Sequence, residues 1–252
     1  MLYKTRAIVL RDYELAEQDK IIEVFSEKYG RVKLVAKGAR RLKSRFAPTT
    51  QIISYVDILA YQSRKLDLDT LSECQLISLF PEIKKDLLKM VSAGYLAELT
   101  AKLTPLRDRN LAIFVLLLKS LSLLEKFPKD KLNTLLRAFE LRFLRLLGYS
   151  PTLKKCLDCG KKLEVLKTCY FSIEGGGILC EICAKDKKTT VISKGSIKTM
   201  LYLSHSKLDD IKNLWVGRNS LKELEILPSL YIPYHSEQLI SGYKFLKQLT
   251  KE

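Results

Sequence analysis

A chain of 252 residues with 47% hydrophobic content is long enough for one large domain or two to three small ones, with ample material for a core. Its formal charge of +16, from 44 Lys and Arg against 28 Asp and Glu, favours a polyanionic partner, most simply nucleic acid. The longest apolar run, Leu111–Leu118, falls short of the ~20 residues of a membrane span, and Met1–Arg6 has no apolar signal core behind it, so a soluble, cytoplasmic chain is predicted.

Residues 1–80 read as β. Arg6–Leu10, Asp19–Glu27, Arg31–Val35 and Gln51–Tyr61 are rich in Val, Ile and Leu, and Leu66–Leu71 alternates Leu with Asp or Thr. Five short strands at this spacing predict a small barrel of the OB type. No acidic residue occurs between Glu27 and Asp57, an interval that holds Lys28, Arg31, Lys33, Lys37, Arg40, Arg41, Lys43 and Arg45. Lys37–Phe46 has no clear periodicity and reads as a basic loop projecting from the barrel. A solvated loop would normally mix signs. Crowded cations of one sign suit successive phosphates, and Phe46 either packs inside or offers a stacking face. The predicted nucleic-acid-binding set is therefore Arg31, Lys33, Lys37, Arg40, Arg41, Lys43 and Arg45.

Residues 81–150 read as helices. Pro81 suits a first turn, and Ile83, Leu87, Val91, Leu99 and Leu103 keep one face apolar up to Pro105. Asp108 or Asn110 caps a second helix to about Phe127, apolar all round in its middle and so expected at the centre of a helical domain. Asp130 is expected to cap a third, which ends at Gly148 with Pro151 beyond. Ser193 can cap another through Leu203, and residues 207–252 look helical with interruptions at Gly217, Pro228 and Pro233.

Between these helices lie Cys156, Cys159, Cys180 and Cys183, two Cys-x-x-Cys hooks with a 20-residue spacer. This spacing is that of a four-cysteine zinc site, and two hooks close a tetrahedron of thiolates around one ion. Gly160 stands where a knuckle turn needs positive φ. Thr168–Ile173 and Ile178-Leu179 read as strands joined through Gly175-Gly176-Gly177, giving a zinc ribbon. Four sulfurs leave no open position, so one structural Zn²⁺ is expected and no catalytic metal. Cys169 and Cys74 read as small buried hydrophobes, with Cys169, between the hooks, the one that could substitute as a ligand. The expected architecture is α+β: an N-terminal OB-fold β-barrel (1–80), a helical domain in two parts (81–150 and 191–252) and a zinc ribbon (151–190) inserted between them.

This order of parts resembles the RecO family of bacterial recombination-mediator and DNA-repair proteins. The carrying residues are Arg6-Ala7-Ile8-Val9-Leu10 with Tyr29-Gly30-Arg31, and Val35–Arg41 with Ser44-Arg45-Phe46. Arg137–Arg142 through Leu147-Gly148-Tyr149-Ser150-Pro151 into Cys156 and Cys159, and then Gly176–Cys180, complete the match. It covers roughly residues 4–190. Near the end, Gln238–Gly242 lacks the basic residues of the family's Pro-Leu-Lys-Ser-Arg-like stretch. The resemblance implies binding of single- and double-stranded DNA, annealing of complementary strands, and action with RecR to load RecA. It also implies capture of the acidic C-terminal tail of single-stranded-DNA-binding protein. Arg137, with Phe139 and Leu141, matches the tail-binding position, where a guanidinium would sit beside a greasy groove.

Two other function classes are less well supported. A zinc-dependent nucleic-acid enzyme finds few candidate groups: His205 and His235 lack metal-ligand spacing, no carboxylate set resembles a two-metal site, and no phosphate-cradling Gly-x-x-x-x-Gly-Lys-Ser/Thr loop occurs. An RNA-binding or ribosome-associated protein is compatible with composition, since barrels and ribbons serve both nucleic acids. The expectation is a non-catalytic DNA-repair mediator at the nucleoid, without a membrane partner.

Overall fold

Inward-facing apolar residues shape the N-terminal sheet. In the computed structural model, which describes residues 1–15, 17–41, 43–63 and 67–249, five strands are present: β1 (Leu2–Glu14), β2 (Lys20–Ser26), β3 (Gly30–Ala36), β4 (Tyr55–Tyr61) and β5 (Asp69–Ser78). Ala7, Val9, Ile22, Val24, Val32, Leu34, Val56, Ile58 and Ala60 point inward and are buried in the barrel core. The strands close in the order β1-β2-β3-β5-β4, antiparallel except where β3 meets β5 through Leu34↔Asp69 and Val35↔Thr70. This is the expected five-stranded barrel, closed between β3 and β5 by those two residue pairs.

Several strand boundaries differ from those expected; β1 runs Leu2–Glu14, well beyond Arg6–Leu10 at both ends. β4 begins at Tyr55 because Gln51–Ser54 turns back on itself, with Ile53 at φ 73°. β5 runs on to Ser78, where Gln75, Leu76 and Ile77 are all exposed and the pairing with β4 shifts register twice, erasing the alternation that marks a strand. Leu66, the expected start of the fifth strand, lies outside the described residues.

The chain divides into two compact units, residues 1–126 with 244–252, and residues 127–243. The first helices fall within the first of these units. They are α1 (Pro81–Lys84), α2 (Leu87–Leu103) and α3 (Leu111–Lys126). The single helix expected from Pro81 to Leu103 is broken at Lys85, and Asp86 caps α2 by accepting the Lys89 N–H at 3.1 Å. Asn110 caps α3 through the Ile113 N–H at 3.0 Å. α3 leaves Leu111 and Val115 exposed, so it is not apolar-packed on every side.

The segment between α2 and α3 is fastened to the barrel. The Arg107 N–H donates to the Arg31 carbonyl at 2.8 Å, and its guanidinium donates to Asp69 at 2.7 Å. Asp69 is fully buried and also accepts from the Tyr3 hydroxyl (2.6 Å) and the Ser63 N–H (2.9 Å), so its charge is well compensated. Gly30 has φ 64°, and a Cβ there would lie 1.9 Å from the Asp108 carbonyl oxygen; only glycine fits the approach.

The second unit is built on α4 (Leu132–Leu146), which follows a 3-10 turn at Lys129–Lys131 and has no side-chain cap, so Asp130 does not play the expected role. α4 packs against α6 (Lys194–His205), which Ser193 caps through the Ser196 N–H at 3.1 Å. Arg142 joins them by donating to the Leu203 and Ser206 carbonyls. Between them in sequence comes a three-stranded sheet of β6 (Cys169–Ser172), β7 (Gly177–Leu179) and β8 (Thr190–Ile192), with the short helix α5 (Glu181–Ala184). α7 (Arg218–Leu224), a π-helical turn at Leu227–Tyr231 and α8 (Ile232–Ser236) follow, and α9 (Ser241–Leu249) ends the described chain. The Tyr231 hydroxyl donates to the Tyr149 carbonyl at 3.1 Å, its ring packs on Phe171, and His235 Nε2 meets the Ile173 carbonyl at 2.7 Å. These contacts tie the ribbon to its helical support. No helix among the described residues is long and apolar enough to cross a membrane.

Candidate nucleic-acid interface and metal centre

The basic segment is held close to the barrel. Gly38 N–H donates to Asp19 Oδ1 at 2.8 Å, and the Arg40 N–H donates to the Gln18 carbonyl at 3.0 Å. Successive turns follow, closed by Arg41 N–H to the Gly38 carbonyl and Ser44 N–H to the Arg41 carbonyl. Phe46 then drops into the barrel core at 5% exposure, in the same cluster as Ala39. An anchored aromatic at one end and a pinned turn at the other hold the intervening cations in place.

The seven predicted cations separate by environment. Lys37, Arg40, Arg41, Lys43 and Arg45 are exposed. Arg40 pairs with the open carboxylate of Glu14 at 2.9 Å, and Arg41 Nε donates to Gln18 Oε1 at 2.6 Å; both partners are at the surface, where such pairs are weak. Arg45 donates to the Ser72 carbonyl at 3.0 Å and lies over the Phe46 ring at 4.8 Å. Arg31 and Lys33 are different: both are half-buried on β3, and Arg31 is paired with Glu23, whose carboxylate is buried. Lys33 stands opposite Glu23 in the β2–β3 register. Arg31 thus neutralises an interior acid.

Lys37, Lys43 and Arg45 share an open cleft of about 410 Å³ with Tyr61, Thr70 and Ser72. The strand residues of this cleft carry no signal in the sequence, because only the pairing of β4 with β5 brings them to the loop.

Arg137, Phe139 and Leu141 are placed in the interior of the second unit, at 3%, 0% and 1% exposure. α4 is central there and every face of this stretch is covered. The Arg137 guanidinium donates to Glu140 at 2.6 Å and lies over the Tyr243 ring at 5.4 Å, so it is not presented beside an open groove. An open groove of about 400 Å³ does lie at the far edge of Leu141. Pro151, Leu153 and Leu201 line it, together with the exposed Lys154 and Lys155.

The four cysteines converge as their spacing predicts. The Sγ atoms of Cys156, Cys159, Cys180 and Cys183 all lie within 4.8 Å of one another, and those of Cys159 and Cys180 are 3.7 Å apart. A tetrahedron with ~2.3 Å metal–sulfur bonds needs sulfurs ~3.8 Å apart, so the set fits a bound ion. Gly160 has φ 70°, and its N–H donates to the Cys156 carbonyl to close the knuckle. Burial opposes ionisation of Cys156, but backbone N–H groups of Cys159, Cys180 and Asp158 outweigh it and draw the thiol down to about 6. Hydrogen bonding to Cys180, with burial, pushes Cys183 the other way. Four neighbouring thiols resist full ionisation together, and a divalent cation removes that resistance. Cys169 is buried in β6 outside the cluster, and Cys74 packs against the barrel core.

Two family models match the chain: the N-terminal model of recombination protein O over residues 1–80 and the C-terminal model over residues 84–240. The chain belongs to the RecO family. Proteins described as DNA repair protein RecO from Symbiobacterium thermophilum and Pelotomaculum thermopropionicum are 33% and 34% identical to it. The alignments cover 98% and 97% of this chain and 98% and 93% of theirs. A RecO from Acetivibrio thermocellus is 30% identical over 98% of the chain and 97% of its own length. Both models match and relatives of that description align along nearly the whole chain, so this is a RecO-family DNA repair protein.

Proposed function

We propose that this RecO protein is a non-catalytic mediator that binds single- and double-stranded DNA through the barrel and anneals complementary strands. The observation that carries the reading is the row of exposed cations Lys37, Arg40, Arg41, Lys43 and Arg45 on a pinned turn of the barrel. Cations held to a rigid wall grip phosphates, lower the repulsion between two strands and leave base edges free to pair. Annealing makes and breaks no covalent bond, so no catalytic group is required. The four-cysteine site is proposed to hold one Zn²⁺ as a structural brace, since four thiolates leave no position for substrate.

Action with RecR to load RecA is proposed from family membership. The acidic tail of single-stranded-DNA-binding protein is proposed to reach the second unit. With Arg137 engaged by Glu140, the groove beside Leu141, where apolar walls meet Lys154 and Lys155, offers the chemistry such a tail needs. Annealing of complementary oligonucleotides coated with intact or tail-less single-stranded-DNA-binding protein tests the reading. Acceleration on bare strands and on intact coats, lost when the tail is removed, is expected; no acceleration of bare strands would overturn it.

A further inference from the structure

Resting on the reading of the basic cleft as a DNA site, we propose that Tyr61 is its base-stacking platform and gives it a preference for unpaired strands. Tyr61 is the last residue of β4, on the outward half of the alternation whose inward half is Val56, Ile58 and Ala60. It is 54% exposed. In register it stands between Leu2 of β1 and Thr70 of β5, and it lines the cleft that also holds Lys37, Lys43 and Arg45.

The basic loop reaches this wall because Arg45 donates to the carbonyl of Ser72, two residues along β5 from the partner of Tyr61. A nucleic-acid backbone held by these cations therefore passes beside an open aromatic ring. Phe46, the aromatic inside the loop itself, cannot do this work. It is buried in the barrel core and its ring is covered by the Arg45 guanidinium. Every base has a π-face, so a single ring binds without regard to sequence. A duplex keeps its bases stacked on one another and gains only the phosphate contacts. The cleft thus adds a salt-insensitive contact for single strands to a salt-sensitive contact for both.

The test is fluorescence-anisotropy binding of the full chain to a labelled oligodeoxythymidylate, its duplex, and an abasic oligonucleotide of equal length, each across a salt series. Tyr61→Leu is expected to weaken oligodeoxythymidylate binding about 5- to 100-fold with an unchanged salt slope. Its affinity for duplex and for the abasic strand should match wild type, and Tyr61→Phe and Tyr61→Trp should restore binding. Equal binding of Tyr61→Leu and wild type to the base-bearing strand would overturn the proposal, as would equal weakening on all three probes. Failure of the underlying DNA reading looks different: wild type itself would then bind without salt dependence, or not at all.

Discussion

Arg31 and Arg45 sit in the same acid-free stretch of sequence, and their surroundings give them opposite roles. Arg45 is exposed and, among the described residues, tethered by a carbonyl and an aromatic face, contacts that a phosphate can supplement. Arg31 is the counter-ion of Glu23, which has almost no contact with water. Removing one partner of such a pair leaves an uncompensated interior charge, at a cost of ~3–5 kcal/mol. Arg31→Ala is therefore expected to lower the thermal midpoint sharply while leaving the salt slope of DNA binding intact; denaturant unfolding and a salt titration on the same sample check both. The contrast extends to Arg137, whose place in the sequence suits a partner's carboxylate and whose place in the fold is occupied by Glu140. Charge runs along a chain say which residues are cationic. Only tertiary pairing says which cations have an interior acid to neutralise.

At the level of elements, legibility followed how local the determining signal was. The hooks, the knuckle turn at Gly160 and the β6–β7 hairpin are set by residues close in sequence, and all were readable from spacing. The existence of β1–β4 was readable from runs of Val, Ile and Leu. The second half of β5 was not, because exposed Leu76 and Ile77 and two register shifts break the period. The anchoring between the first helices and the barrel was also hidden. α2 and α3 are joined by a segment locked onto the barrel through Arg107 and the close approach at Gly30, long-range contacts that periodicity does not encode. The proposed ion bears most directly on the ribbon. Its strands have three to four residues each, short for a sheet that must hold by itself. A strong chelator, or Cys183→Ser, is expected to unfold residues of the ribbon while the barrel persists, read as loss of hydrogen-exchange protection confined to the second unit. Cobalt substitution should give the absorption of a tetrahedral thiolate site; an octahedral spectrum would contradict the four-sulfur assignment.

For the whole molecule, a net charge of +16 is too blunt to explain recognition, since it would draw any polyanion. Specific work comes from where the exposed part of that charge is concentrated and how firmly it is held. The RecO N-terminal match spans the barrel, and the pinned basic turn marks the face proposed to bind DNA. The central claim is that Arg40, Arg41, Lys43 and Arg45 contact phosphates from that face. The most direct test is the salt dependence of single-stranded DNA affinity for wild type and for the variant with all four changed to Ala. The logarithmic slope should become shallower by up to ~3, about 0.7 for each phosphate that is no longer neutralised, with weaker binding at every sequence tried. Parallel salt plots for the two proteins would contradict the assignment of these four cations to the phosphates.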